Sequence, residues 1–199
     1  MKKPLSGDEG LSFDGMPTGK SLSDFWRWSS SDLLNNTLRG AYAEFIVASA
    51  LDLNVVDSTR EDWTPFDLLY HNKRIEVKSA AYLQAWGGHK QSFIQFSIRP
   101  TQAWYPETGY EGSVERQSDL YIFCLYTVRN PDEANPLLLD GWDFYVLPTY
   151  ILNNHCGEQK SISLASLLNL HPIACKYDGV SKAADALLGV LVSTRQIPE

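Results

Sequence analysis

The sequence predicts an α/β fold, a mixed β-sheet flanked by helices. Three observations point there. A stretch from Ser31 to about Leu53 has helical period, two short strands flank His71-Asn72 and are followed by further strand-like segments, and two helical stretches close the chain. At 199 residues with 44% apolar side chains, the chain suits one domain with a sizeable core.

Taken in order, residues 1–20 are rich in Gly, Ser, Pro and charge and read as a mobile N-terminal tail, leaving 21–199 as a single domain. Phe25-Trp26-Arg27-Trp28 reads as helix-packing aromatics, with base stacking as the alternative. In the helical stretch Leu34, Leu38, Ala41, Tyr42, Phe45 and Ser49 form a stripe at 3.6 spacing, and Glu44 lies at its margin, about 100° from Phe45. Val55-Val56 reads as a short strand. Leu68–Tyr70 and Lys73–Ser79 read as an antiparallel hairpin closed by His71-Asn72. From Phe93 to Arg99 the residues alternate, with Ile94, Phe96 and Ile98 on one face and Gln95, Ser97 and Arg99 on the other. The nearly continuous apolar run 119–128 predicts a strand covered on both faces. A Pro/Asn/Asp/Gly loop separates it from a strand over Trp142–Leu147 that Pro148 stops, and helices are expected over Ser163–Leu170 and Ser181–Val192.

The hairpin carries the chemistry. If Tyr70 pairs with Lys73, Asp67 lies opposite Glu76, and Lys78 shares their face because strand side chains alternate, while Ile75 and Val77 point into a core. Moving the loop to Asn72-Lys73 preserves that face; a three-residue loop would turn Glu76 away. Two opposed carboxylates destabilise a sheet unless something positive sits between them. Their hard oxygens suit Mg²⁺ or Mn²⁺, with Asp67, Glu76 and the Val77 carbonyl as the protein's donors. Lys78 beside them is suited to orient or help deprotonate a metal-bound water and to offset charge at an attacked phosphorus. Each residue also has an ordinary reading: Glu-Val-Lys as a solvated strand face, Asp after Pro as a turn opener, Glu44 as a boundary glutamate.

Pro65-Phe66-Asp67 with Glu76-Val77-Lys78 resembles the signature of the PD-(D/E)XK, or restriction-endonuclease-like, nuclease superfamily, over a core of about residues 31–128. The resemblance implies a restriction-endonuclease-like fold, Asp67 and Glu76 as metal ligands and Lys78 as the catalytic lysine. Arg39–Val47 matches the helix that carries a further acidic residue in that superfamily, which implies Glu44 as an accessory catalytic group. Tyr82, Gln84 and Trp86 fall where some members place substrate contacts.

A formal charge of −7 and a pI near 5.1 run against the basic footprint of nucleic-acid binders. Its distribution softens this. Between Leu68 and Pro106 there are five basic residues, Lys73, Arg74, Lys78, Lys90 and Arg99, and one acid, Glu76; the segment is +4 and the remainder −11. Lys73, His89, Lys90 and Arg99 from this segment, Gln95 from the polar strand face and Gln84 from the resemblance are the candidate DNA contacts, and a partner protein or second copy is expected to supply binding or specificity. His71, His89, His155 and His171 show no metal spacing, and Cys124, Cys156 and Cys175 lack CxxC spacing, against a zinc site or disulfide framework. Without a signal-peptide core or a membrane-length apolar run, the expectation is a cytoplasmic protein with no membrane partner. The sequence thus predicts a Mg²⁺-dependent endodeoxyribonuclease of restriction or repair type. The alternative is an inactive domain of that fold used as a DNA-binding or protein-interaction module.

Overall fold

The computed structural model describes residues 3–62, 64–84, 92–105 and 107–190. Strands β1 (Gly10–Phe13) and β2 (Met16–Ser21) form a hairpin about Asp14-Gly15, whose φ angles are +50° and +74°. Asp-Gly accepts positive φ at both turn positions, and such turns match the right-handed twist of paired strands. The stretch read as a tail from its composition therefore carries a hairpin. Ser21 then caps α1 (Leu22–Ser30) through a reciprocal capping box with Asp24. This helix lies outside the sheet layers and buries none of its residues, so its aromatics do not pack as expected and Trp28 is 84% exposed.

Helix α2 (Asn36–Ala50) starts later than predicted because Asn35, not Ser31, is its cap and accepts the Thr37 N–H. Its buried face is Arg39, Ala43, Ile46 and Val47, whereas Phe45 of the predicted stripe is exposed. Apolar residues surround this helix, so period alone did not select the face; the slim alanine side is the one that lies close to the sheet. No strand forms at Val55-Val56, and Val56 is exposed.

Strands β3 (Leu68–Tyr70) and β4 (Lys73–Ala81) pair antiparallel with Tyr70 opposite Lys73, and His71 and Asn72 take φ of +48° and +61°. β4 then pairs parallel with β8 (Leu120–Tyr126), which pairs antiparallel with β9 (Trp142–Pro148), itself paired with β11 (Ile173–Cys175). The five-stranded sheet thus runs β11-β9-β8-β4-β3. The crossover from β4 to β8 contains β5 (Gln95–Ser97), paired with β10 (Ser161–Ser163), and a hairpin of β6 (Thr101–Tyr105) and β7 (Gly109–Glu115) that the sequence did not announce.

Three further helices complete the layers: α3 (Thr149–Cys156), which was not predicted, α4 (Leu164–Leu168) and α5 (Val180–Leu188). α5 starts at Val180 rather than at a Ser181 cap and ends at Gly189, whose φ of +67° is the left-handed stop glycine tolerates. On one face of the sheet Ile75, Val77, Ile122 and Phe144 pack under α2 and α5; on the other, Tyr121, Phe123 and Leu147 pack under Phe96, Leu152 and Leu167. β8 is buried along its whole length, as its continuous apolar run predicts. The architecture is a mixed α/β sheet covered on both faces. Among the described residues no helix is long and apolar enough to cross a membrane.

Candidate active site

β3 is only three residues long, and Asp67, just before it, extends its pairing with β4. The Asp67 N–H donates to the Ile75 carbonyl at 3.1 Å, and the Asp67 carboxylate accepts the Val77 N–H at 2.7 Å. In a strand the N–H and C=O of one residue point the same way. The Val77 carbonyl therefore faces the gap left by β3, beside the Asp67 carboxylate. Beyond this point β4 has no strand partner on that side among the described residues.

Glu76 and Lys78 project from the face opposite Ile75 and Val77, as alternation requires. Lys78 Nζ lies 2.5 Å from Glu76 Oε1, and the buried Ser118 hydroxyl donates to Glu76 Oε2 at 3.1 Å. Both charged side chains are largely covered, at 18% and 29% exposure. Burial, then the charge of Glu76, pushes the Asp67 carboxyl up to about 7, despite opposing pulls from Lys78 and the Val77 N–H. Burial alone would lower the Lys78 ammonium, but Glu76, Asp67 and Glu44 outweigh it and the net shift is upward. Tyr121, paired with Glu76 across β4 and β8, is raised by burial and by the same charge. Two carboxylates thus converge around one ammonium in a poorly solvated notch.

Glu44 looks in from α2, 13% exposed, with both oxygens held by Arg60: Nε to Oε2 at 2.6 Å and Nη2 to Oε1 at 2.8 Å. Arg60 also pairs with Asp62. The Glu44 charge contributes to the upward shifts of both Asp67 and Lys78, so it belongs to the same electrostatic cluster. A cleft of about 190 Å³ opens over Asp67 and Glu76, walled by Thr64 on the loop before β3 and by Thr101, Gln102 and Trp104 of β6. A more apolar cleft of about 480 Å³ adjoins it at Asp67 and holds Glu44 and Arg60.

The remaining sequence-selected residues are spread out. Lys73 pairs with Asp119 at 3.8 Å at the turn end of β4. Gln84 accepts from Arg39 and donates to the Ala81 carbonyl, Gln95 bonds Ser161, and Arg99 is exposed. His89, Lys90 and Trp86 lie outside the described residues. Sequence reasoning missed Ser118 and Arg60. A serine just ahead of the apolar run was a legible signal for a group at the start of the neighbouring strand, and Arg60 is the one cation among Asp57, Glu61 and Asp62.

The family model of bacteriophage T4 endonuclease IV matches residues 20–166, a span that includes Glu44, Arg60, Asp67, Glu76, Lys78 and Ser118. The chain belongs to the bacteriophage T4 endonuclease IV family. Membership supports an endonuclease, an enzyme that hydrolyses phosphodiester bonds. No curated protein matches the chain. The span shared with the endonuclease IV family stops within α4, so β11 and α5, which complete one side of the core, lie beyond it.

Proposed function

We propose that the chain is a metal-dependent endodeoxyribonuclease of the PD-(D/E)XK type, acting in restriction or repair and cutting DNA at the Asp67, Glu76 and Lys78 notch. The observation that carries this reading is the Asp67 carboxylate on the Val77 N–H, set against Glu76 and its 2.5 Å contact with Lys78.

The donor set fits Mg²⁺ or Mn²⁺. Asp67, Glu76 and the Val77 carbonyl are hard oxygen donors, and the Asp67 carboxyl is pushed up first by burial and then by the Glu76 charge, a crowding of negative charge that a cation would relieve. Among the described residues no group of three or more His, Cys, Asp or Glu is arranged to hold a metal. A share of two carboxylates is what Mg²⁺ takes when water and substrate phosphate fill the other positions. When bound, such an ion supplies Lewis-acid polarisation of the phosphoryl group and a water of lowered pKa. The chain's own groups do the rest. Lys78 keeps its proton, orients the attacking water and offsets charge developing at phosphorus, while Ser118 fixes the rotamer of Glu76. Glu44 assists as a third carboxylate of the cluster, its side chain held at the cleft margin by Arg60.

Cleavage of plasmid, linear duplex, single-stranded and branched DNA with Mg²⁺ or Mn²⁺ tests the reading, with Asp67→Asn as the comparison. Activity in the parent that depends on divalent metal and falls at least a hundredfold in Asp67→Asn is expected. A parent that binds these DNAs without cutting any of them would favour the second reading, a non-catalytic DNA-binding or protein-interaction module; the net charge of −7 speaks for the protein-interaction form of it.

A further inference from the structure

Arg39 sits in the first turn of α2, only 4% exposed, and lines a polar cavity of about 280 Å³ with Asn36, Ser79, Gln84 and Gln95. Among the described residues its guanidinium meets only neutral oxygens. Nη1 donates to the Leu34 carbonyl at 3.1 Å and to Gln84 Oε1 at 3.2 Å, and Nη2 to Asn36 Oδ1 at 2.5 Å. Nε is buried with no partner among the described residues. Among the described residues no carboxylate pairs with it, and the first turn of α2 carries no acid.

A buried cation at the positive end of a helix is unfavourable without an anion, and a buried N–H without an acceptor adds to the cost. The other buried arginine is instructive. Arg116 also lacks a carboxylate among the described residues, but each of its nitrogens has an acceptor, from Ile98, Asn153, Gly157 and Gln159, and it lines neither this cavity nor the two clefts at Asp67. Arg116 is a completed structural cross-link. Arg39 is an incomplete one that opens on a cavity.

We propose that this cavity is a phosphate subsite, in which Arg39, steadied by Asn36 and Gln84, holds an internal phosphodiester of the DNA strand being cut, about two nucleotides from the scissile bond. The inference rests on the nuclease reading above. Position supports it. β4 has no strand partner on the β3 side past Val77 among the described residues, and its open edge leads from Lys78 to Ser79, Ala80 and Ala81 of the cavity wall. At ~3.3 Å per residue, Val77 and Ala80 are separated by roughly 10 Å, a span that phosphates about two nucleotides apart in one strand bridge. The missing element is negative charge, because the Asn36 and Gln84 amides are already spent on the guanidinium as neutral acceptors and Gln95 is bonded to Ser161; a phosphate supplies that charge and a base does not.

The test is anisotropy of a labelled abasic oligonucleotide with hydroxyl ends, bound to the full chain in EDTA across a salt series, so that neither base contacts nor cleavage contribute. Arg39→Gln is expected to weaken binding about tenfold and to make the salt dependence shallower by roughly 0.7 in log–log slope, one phosphate of a single strand. Arg39→Lys should recover part of the slope. Because a buried arginine variant can lose its fold, Gln95→Glu, an exposed change that places a carboxylate at the same cavity, is the deciding variant and should show the same loss with an unchanged melting temperature. A folded Gln95→Glu with parental affinity and slope would overturn the subsite. Arg39 dependence seen only with 5′-phosphorylated oligomers would overturn the internal-phosphodiester assignment in favour of a terminal phosphate. A parent that binds in this Arg39-dependent way yet cuts no DNA with metal would overturn the hydrolase reading and leave the subsite standing, so the two failures are separable.

Discussion

The Asp67 carboxylate accepts the Val77 N–H at 2.7 Å, two residues past Ile75, the last residue of β4 that pairs with β3. A side chain thus satisfies a backbone donor that the next rung of the ladder would otherwise have taken. The consequence is electrostatic. The same bond that completes the sheet anchors a carboxylate beside Glu76 in a poorly solvated notch, which is why its carboxyl rises to about 7 through burial first and the Glu76 charge second.

That shift makes stability depend on pH in a definite direction. The folded value lies above the ordinary 3.8, so the folded state binds a proton that the unfolded chain releases. The contribution is fully present below 3.8 and is lost as pH rises to about 7. Asp67→Asn keeps an acceptor for Val77 and removes the titration. In divalent-free buffer its melting temperature should gain on the parent between pH 5 and pH 8, by a few degrees if ~1–2 kcal/mol is involved at ~2–4 °C per kcal/mol for a chain of this size. A difference between the two proteins that stays flat from pH 5 to pH 8 would sink the argument.

The turn is a second point of leverage. His71 and Asn72 both have positive φ, which Asn tolerates and Gly adopts freely. Asn72→Gly should leave stability within about 1 kcal/mol of the parent. Asn72→Val, β-branched at a φ of +61°, should cost on the order of 1–3 kcal/mol in urea unfolding. Equal midpoints for the two variants would show that the turn does not hold the register that sets Glu76 beside Asp67.

The register was legible because a two-residue loop leaves little choice: Tyr70 opposite Lys73 follows from loop length, and the faces of Glu76 and Lys78 follow from alternation. The apolar run of β8 was legible for the same kind of reason, since only a strand covered on both sides needs no polar face. What escaped the sequence depended on tertiary choice. The buried side of α2 was misread because its alanines make several faces nearly equivalent, and the sheet selected the one bearing Arg39 and Ala43 rather than Phe45. The Asp14-Gly15 turn was a plain local signal overlooked within a polar stretch. Ser118 and Arg60 reach the site across the fold, and no spacing within the chain encodes such a meeting.

Ser118 offers a test of positioning apart from chemistry. Its hydroxyl donates to Glu76 Oε2 at 3.1 Å from a buried site at the start of β8. A hydrogen bond to a charged group contributes ~1.5–3 kcal/mol, so Ser118→Ala should lower kcat by roughly ten- to a hundredfold while KM for DNA changes little. Ser118→Thr, which keeps the hydroxyl, should recover most of the loss. A fall in affinity with kcat intact would place Ser118 in substrate binding instead.

Lys78 carries the strongest prediction, because it is the cation that contacts Glu76 and whose charge lowers the Asp67 carboxyl. Removing it has two separable effects. The carboxylates lose their compensating charge, so Lys78→Ala should bind Mn²⁺ at least as well as the parent, and added Mn²⁺ should raise its melting temperature more than the parent's, since a ligand stabilises in proportion to its affinity for the folded state. The transition state loses an ammonium beside the developing charge, and cleavage should fall by about 10²–10³, the range seen when a preorganised electrostatic donor is removed. Lys78→Arg keeps the charge but replaces a compact ammonium with a planar fork, and should recover metal-free stability more than rate. Calorimetry with Mn²⁺ and single-turnover cleavage separate these terms. Retained metal binding with lost cleavage is the expected pair, whereas undiminished cutting by Lys78→Ala would remove the lysine from the chemistry.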